Sequence, residues 1–150
     1  MLSYRTATPA DLGFIIALIV EDSVVSTGDD PGDAAHSDYV DALAEITADP
    51  NQEMIIVEQD GAPVGCFQLS YLPGLMRRGM KRGQIEVVHV AQTHRNRGIG
   101  GDMMRWAIER CRQNGCAMVQ LTSNKKRIDA HRFYERLGFL KSHEGFKSYL

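Results

Sequence analysis

Apolar residues recur every three or four positions in four segments of the chain, and this spacing predicts amphipathic helices. In the first of these segments, Leu12, Ile15, Ile16 and Ile19 share one helical face. The preceding Thr-Pro-Ala-Asp stretch, 8–11, has the N-cap hydroxyl, early proline and acidic residue typical of a helix start. The same spacing predicts three more apolar helix faces: Tyr39, Leu43 and Ile46; Met103, Met104, Ala107, Ile108 and Cys111; and Ala130, Phe133, Tyr134 and Leu137.

Shorter apolar runs between these segments favour strands. One is predicted at 4–8, and two more lie within 53–72, where Asp60-Gly61 is a strong hairpin signal. The β-branched run 84–90 and the run 116–121 add a fourth and a fifth strand. We expect two further strands in the tail, 139–150, and loops at 26–33 and 73–83.

The order of these elements predicts an α/β fold, with a mixed sheet of about seven strands and about four helices covering both faces. The strand–helix–strand unit from 84 to 121 predicts that the fourth and fifth strands are parallel, while the rest of the sheet is mostly antiparallel. The chain has 150 residues, the length of one ordinary domain, and neither a repeat nor a long linker divides it. We therefore predict a single domain over residues 1–150.

Composition excludes several classes of protein. A formal net charge of -2 gives no reason to expect nucleic-acid binding. Three cysteines at no metal-ligand spacing predict reduced residues in or near the core and no metal site. The longest apolar run, 14–20, is too short to cross a bilayer, and no signal-peptide pattern follows the first residue. We expect a cytoplasmic protein with no membrane partner.

The segment THRNRGIGGD, 93–102, joins the fourth predicted strand to the start of a helix and is rich in glycine and arginine. A helix amino terminus presents unpaired backbone N–H groups and favours negative charge. Glycines allow close approach of a ligand, and arginines bind phosphate oxygens. The pattern therefore predicts a pyrophosphate site formed by Arg95, Arg97, Gly98, Gly100 and Gly101. A P-loop is excluded because no Gly-Lys-Ser/Thr occurs, and a dinucleotide fingerprint would need glycine at Met103.

Three motifs together resemble the GNAT superfamily of acyl-CoA-dependent N-acyltransferases. Residues 95–100 match the family pattern R/Q-x-x-G-x-G/A, and LTSN, 121–124, resembles the end of the family's fifth strand. The stretch DAHRFYERLGF, 129–139, resembles the family's A-x-x-F-Y-x-x-x-G-F helix. Order and spacing agree from about residue 84 to 140. The longer segment DAHRFYERLGFLKSHEGF is also similar to aminoalkylphosphonate N-acetyltransferases.

The resemblance implies direct transfer of an acetyl group from acetyl-CoA, as co-substrate, to a primary amine. It implies that the main chain of Val88 and Val90 pairs with the pantetheine arm, that the 95–101 backbone holds the pyrophosphate, and that Asn124 bonds near the pantetheine. Tyr134 matches the family's general acid toward the leaving sulfur. Without the resemblance, Tyr134 would be interpreted as a core residue of its helix.

The general base is open between Glu86, His89 and water. Alternation along a strand predicts that Glu86 and His89 lie on opposite faces of the sheet, so that at most one of them reaches the acceptor. Glu86 shares its parity with Val88 and Val90, and a carboxylate near this position often acts through water in the family. We favour Glu86, although the imidazole of His89 has the more suitable unperturbed pKa for a base.

The resemblance implies that the acceptor is a small-molecule or protein amine. The loops 24–36 and 71–83 are expected to border its pocket; the first is acidic and the second basic, so charge does not select a substrate. Acyl-chain preference is open as well, and family resemblance makes a homodimer an expectation. Two other functions remain: a catalytically idle acyl-CoA-binding sensor or subunit of the same fold, and a nucleotide-binding regulatory domain.

Overall fold

A computed structural model describes the whole chain, residues 1–150. The chain forms two compact units, Met1–Gln120 and Leu121–Leu150. All strands belong to the N-terminal unit, and their order across one sheet follows their order in the sequence. The strands are β1 Leu2–Thr6, β2 Gln52–Gln59, β3 Ala62–Leu72, β4 Arg82–Val90 and β5 Met118–Gln120. Neighbouring strands are antiparallel except for β4 and β5, which are parallel as predicted.

The N-terminal unit contains the three helices predicted for it and a short additional one, in the segment 73–83 that was predicted to be a loop. They are α1 Leu12–Glu21, α2 Ser37–Ala48, the four-residue α3 Met76–Gly79 and α4 Ile99–Gln113. The C-terminal unit contains α5, Ile128–Arg136. Short 3₁₀ turns occupy Pro9–Asp11, Pro31–Asp33 and Gln92–His94. No helix has the length and apolar character needed to cross a membrane.

The core lies on both faces of the sheet. On one face, apolar side chains of α1 and α2 pack against β2 and β3 in a cluster that includes Ile16, Leu43, Ile56 and Cys66. On the other face, Met103, Met104, Ala107 and Cys111 of α4 are fully buried, as the helical spacing predicted. All three cysteines are free thiols, and burial raises the pKa of the Cys66 thiol to about 12. The sheet is therefore covered by helices on both sides.

Local sequence signals explain two junctions of this unit. Thr8 and Asp11 form a capping box, in which each side chain meets the other residue's backbone at the start of the Pro9–Asp11 turn. Asp60 and Gly61 both have positive φ, 53° and 82°, and connect β2 to β3 in a two-residue hairpin loop. Both predicted turns are confirmed.

A β-bulge in β4 overturns the expectation that Glu86 and His89 lie on opposite faces. Glu86 is paired with Gln68 and His89 with Cys66, which are alternate residues of β3 and share a face. The extra residue lies between them: Val87 has φ 55°, an unusual value for a β-branched residue. Strict alternation fails across a bulge, and both side chains therefore lie on the α1 side of the sheet.

The two strands predicted for the tail are absent, so the sheet has five strands instead of about seven. From Phe139 to Leu150 the backbone has no helical or strand segment. A strand requires a hydrogen-bonded neighbour, and the backbone bond recorded within this tail, from Ser142 N–H to the Leu140 carbonyl, is local. Phe146 and Tyr149 are exposed. The prediction of two further strands in the tail is therefore wrong.

Candidate active site

The amino end of α4 has the backbone geometry of an anion site. Gly98 is the N-cap residue with φ 81°, and Asn96 before it also has positive φ, 61°. No side chain caps the helix. The first helical bond runs from Asp102 N–H to the Gly98 carbonyl, so the N–H groups of residues 99–101 precede the bonded part of the helix. Three backbone donors at a positive helix end are available to an anion.

The two arginines of this loop have different surroundings. Arg97 is exposed and makes no hydrogen bond or ion pair within the protein, so its guanidinium is available to a ligand. Arg95 is half-buried: its Nε donates to the Val90 carbonyl at 3.0 Å. Its Nη2 lies 3.6 Å from Glu21 and 3.5 Å from Asp22. The Arg95 side chain therefore anchors the loop to β4 and α1, and its role toward a phosphate stays a prediction.

The carboxyl half of β4 has an open edge. Pairing with β5 ends at Gln84, so β4 has no strand partner on that side from Ile85 to Val90. Ala91 N–H donates to the Val64 carbonyl of β3. Because antiparallel bonding alternates along a strand, the main-chain groups of Val90 and Val88 are directed away from β3, toward the open edge. An extended ligand arm could add there like a strand.

Polar side chains converge on the α1 side of β4. Glu86 is exposed, whereas His89 is largely buried and its Nδ1 lies 3.0 Å from Oδ2 of Asp22. Glu21, the neighbour of Asp22, accepts a hydrogen bond from Gln92 N–H at 3.3 Å. Sequence reasoning missed both acids, because they precede β4 by 60 residues or more and lie at the end of an otherwise apolar helix. No local signal could have identified them.

Asn124 and Tyr134 belong to the C-terminal unit. Asn124 Oδ1 accepts from Lys126 N–H at 3.0 Å, and its carbonyl accepts from Arg127 N–H at 3.0 Å, so the residue organises the turn before α5. The ring of Tyr134 is half-buried and packs edge-on against Phe133 and Phe139, with centroids 5.3 and 6.0 Å apart. The predicted roles of Asn124 and Tyr134 toward a cofactor stay predictions.

Two loops of opposite charge belong to the N-terminal unit. Between α1 and α2, a cavity of about 280 Å³ is lined by residues 20 and 23–29. Hydrogen bonds from Thr27 and from the Tyr39 hydroxyl lower the pKa of Asp29 there. In α3, Arg77 and Arg78 are exposed and have φ 52° and 62°. These left-handed values are costly for non-glycine residues, and neither guanidinium has a hydrogen-bond partner or an ion pair within the protein.

Comparison with known proteins identifies the family of this fold. The model of the acetyltransferase (GNAT) family matches residues 15–139, so the chain belongs to that family.

Individual relatives differ in what they do. An aminoalkylphosphonate N-acetyltransferase of Salmonella typhimurium is 31% identical over 95% of this chain and 87% of its own length. N-alpha-acetyltransferase 30 of Saccharomyces cerevisiae is 28% identical over 59% of this chain and 49% of its own length. The crystal structure of a transcriptional regulator from Bacillus halodurans C-125 matches with a TM-score of 0.93 and 37% identity, over 100% of both chains.

Proposed function

We propose that this protein is an N-acetyltransferase that moves an acetyl group from acetyl-CoA to the primary amine of a small molecule. The observation that carries the proposal is a juxtaposition: the uncapped amino end of α4 follows the open edge of β4 after one short loop, residues 91–98. The helix end offers backbone donors to a pyrophosphate, and the strand edge offers main-chain groups to an extended amide-containing arm. Coenzyme A has both parts.

The residues present fit that cofactor. Gly98 has a left-handed φ, 81°, which favours glycine, and Arg97 adds an unpaired positive charge next to the helix end. We assign the backbone of 95–101, with Gly100 and Gly101, to the pyrophosphate, and the main chain of Val88 and Val90 to the pantetheine arm. Asn124 would bond near that arm, as the family resemblance implies.

The reaction needs a proton removed from the amine and a proton given to the leaving sulfur. Acetyl-CoA supplies an activated thioester, and the protein's part is to orient it and to manage these two protons. Glu86 is the base candidate that the sequence favours, and its exposure on the α1 side of β4 makes its carboxylate accessible to an amine. Tyr134 is assigned as the general acid by resemblance, because a phenol is protonated at neutral pH.

We further propose that the acceptor carries an anionic group as well as an amine. The acidic loop contains Asp29, Asp30 and Asp33, which suit a cationic ammonium, while Arg77 and Arg78 are exposed cations without partners. An acceptor with a single kind of charge would be attracted by one loop and repelled by the other, whereas an acceptor with both charges can be attracted by both loops. The Salmonella relative acts on aminoalkylphosphonates, which have both charges.

Release of free thiol measures the reaction directly. Purified protein with acetyl-CoA is assayed against 2-aminoethylphosphonate, ethylamine and a peptide with a free amino terminus. We expect thiol release with the aminophosphonate, at least tenfold less with ethylamine, and none with the peptide. Mass spectrometry of the product should show one added acetyl group. Equal rates with ethylamine would contradict the anionic requirement, and a preference for the peptide would make this a protein acetyltransferase.

A thermal-shift comparison separates the enzyme from the two other functions. Acetyl-CoA at 100 times its Kd should stabilise the native protein by about 2.7 kcal/mol, whereas ATP and NAD should give no shift. Stabilisation by ATP or NAD alone would indicate a nucleotide-binding regulatory domain. Stabilisation by acetyl-CoA without thiol release for any amine would indicate an idle sensor, a role compatible with the regulator of Bacillus halodurans that shares this fold.

A further inference from the structure

His89 is held by a carboxylate that lies 67 residues away in sequence. Its Nδ1 is 3.0 Å from Oδ2 of Asp22, at the carboxyl end of α1. The two side chains are only 11% and 19% exposed, so the bond is partly protected from water. An ionised carboxylate only accepts hydrogen bonds, so Nδ1 carries the proton and donates it to Asp22. This bond fixes the ring orientation and leaves the lone pair of the neutral imidazole on Nε2.

Nε2 of His89 is accessible. It makes no hydrogen bond within the protein, while every buried side-chain nitrogen and oxygen atom has a partner. Nε2 is therefore in contact with solvent. The imidazole has one nitrogen tied to an acid and the other available to a ligand, an arrangement that suits a proton acceptor.

The location of His89 links it to the proposed cofactor site. It lies between Val88 and Val90, whose main-chain groups face the open edge of β4, and the bulge at Val87 places it on the same side as Glu86. Asp22 also lies 3.5 Å from Nη2 of Arg95, whose Nε donates to the Val90 carbonyl. The Asp22 carboxylate thus contacts both His89 and Arg95, which belongs to the loop before α4.

Four segments near His89 contribute a charged or titratable group. α1 contributes Glu21 and Asp22, the loop after β4 contributes Arg95, β4 contributes Glu86, and β3 contributes the Cys66 thiol. Burial raises the pKa of Cys66 to about 12, so this thiol stays neutral. Asp22 is the one acid bonded to the ring, and Arg95 partly offsets its charge. The ion-pair geometry therefore makes Asp22 the group that controls the imidazole.

Resting on the proposed function, we infer that His89 is the base that removes the acceptor's proton and that Asp22 is its positioning residue. An acceptor ammonium gives one proton to Nε2, forming an imidazolium that still donates from Nδ1 to Asp22. The amine lone pair forms the new C–N bond, and the C–S bond breaks with its electron pair on sulfur. The general acid protonates the sulfur. The nitrogen then loses its second proton, and this proton restores the general acid. His89 then returns its proton to water.

Glu86 has a different part in this scheme. Its exposed carboxylate lies on the same side of β4 and attracts the cationic amine without taking the proton. Loss of Glu86 should therefore weaken acceptor binding, whereas loss of His89 should slow the chemical step. This assignment replaces the sequence-based preference for Glu86 as base, and the two assignments give opposite kinetic results.

Steady-state kinetics between pH 5.5 and 9 with saturating acetyl-CoA test the assignment. His89→Gln should lower kcat about 10²–10⁴-fold and abolish the acid limb of its pH profile. Asp22→Asn should lower kcat less, because the ring loses the carboxylate that orients it but keeps its own basic nitrogen. Glu86→Gln should raise the acceptor KM and keep the acid limb. The matched control, Glu21→Gln, removes the neighbouring acid, which contacts Arg95 but not His89, and should leave the limb in place.

NMR of the ring nitrogens, without any substrate, tests the pairing itself. At high pH the His89 signals, assigned by their disappearance in His89→Gln, should show a protonated Nδ1 in the native protein and in Glu21→Gln. They should change in Asp22→Asn. A protonated Nε2 in the native protein, or signals unchanged in Asp22→Asn, would overturn the inference.

The kinetic and NMR results distinguish failure of this inference from failure of the proposed function. If amines are acetylated but His89→Gln keeps the acid limb and Glu86→Gln loses it, the base is Glu86 and this inference is wrong while the function stands. If no amine is acetylated although Asp22→Asn changes the ring signals, the pairing is structural. The proposed function and the catalytic role of His89 then fail together.

Discussion

At the scale of single residues, the hydroxyl of Tyr134 is the group whose removal best separates an enzyme from a binding protein. Tyr134→Phe keeps the ring that packs against Phe133 and Phe139, so the variant should fold normally. If the phenol protonates the leaving sulfur, kcat should fall about 10²–10⁴-fold while the Kd for acetyl-CoA changes little. Single-turnover rates and calorimetric titration measure the two quantities.

The control for this substitution is Tyr149→Phe, which removes the same oxygen from a tyrosine that is 90% exposed in the tail. It should leave kcat unchanged. A full kcat in Tyr134→Phe would return Tyr134 to the role of a packing residue of α5. A loss confined to acetyl-CoA affinity would make the hydroxyl a binding contact.

A second residue-scale prediction concerns Gly100, in the first turn of α4. A valine there would place a branched side chain where the backbone is proposed to meet the pyrophosphate, so Gly100→Val should weaken acetyl-CoA binding at least tenfold. Gln113→Val adds the same side chain at an exposed position at the other end of α4 and should keep native affinity. Calorimetric titration of both variants is the measurement. Unchanged affinity in a folded Gly100→Val would contradict the location of the site.

The chemistry of these residues could be predicted from sequence, but several of their partners could not. Glycines and arginines at a helix start have a local meaning, and this pattern predicted the helix start at Gly98; its use as an anion site stays a prediction. The direction of the Arg95 side chain depends on Glu21 and Asp22, which only the packing of α1 brings near. The pairing of His89 with Asp22 depends on the same packing. Tertiary contacts of this kind leave no periodic signal.

At the scale of elements, the bulge in β4 is the feature with the largest consequences for the site. Val87 has φ 55°, a conformation that costs an L-residue about 1–2 kcal/mol. Glycine has no such cost. Val87 and Val88 are both half-buried, so replacing either by glycine should lower the free energy of unfolding. The loss should be about 1–2 kcal/mol smaller for Val87→Gly, because this substitution also relieves the backbone strain. Urea unfolding of the two variants gives the comparison.

Equal losses in those two variants would show that the strain at Val87 is not released by glycine.

The helices and the hairpin could be predicted because periodicity, an N-cap and a turn dipeptide are local signals. The bulge could not, because a valine in a β-branched run gives no warning of a left-handed backbone. The prediction of two strands in the tail was wrong because a strand needs hydrogen-bonded neighbours, and the backbone bond within the tail is local.

At the scale of the whole molecule, one ion-pair network predicts how the stability of the fold depends on pH. Asp11 accepts two hydrogen bonds from Arg5, both at 2.8 Å, and one from Thr8 N–H at 2.7 Å. Arg5 also donates to Glu58 at 2.7 Å, so β1, β2 and the start of α1 are tied together. The bonds from Arg5, with a smaller part from Thr8, lower the pKa of Asp11 to about 2, despite the opposing effect of burial.

The sign of the pH effect follows from that lowered pKa. An unfolded aspartate has a pKa of about 3.9, so the folded state binds the proton less tightly and gains stability above that pH. This contribution, up to about 2 kcal/mol, is fully present at neutral pH. It should fall by about half between pH 5 and pH 3 and vanish below pH 2. Asp11→Asn removes the ionisable group, so its free energy of unfolding should be lower at pH 7 and should change less with pH.

Urea unfolding of the full chain at pH 7, 5, 4 and 3 measures the difference between native protein and Asp11→Asn at each pH. We expect this difference to shrink as the pH falls, because acid removes from the native protein the same interaction that the substitution removes. Asp41→Asn is the matched control: Asp41 is exposed on α2, has no hydrogen bond or ion pair, and should leave the pH dependence unchanged. A difference that stayed constant from pH 7 to pH 3 would mean that Asp11 acts through its shape at the helix start rather than through its charge.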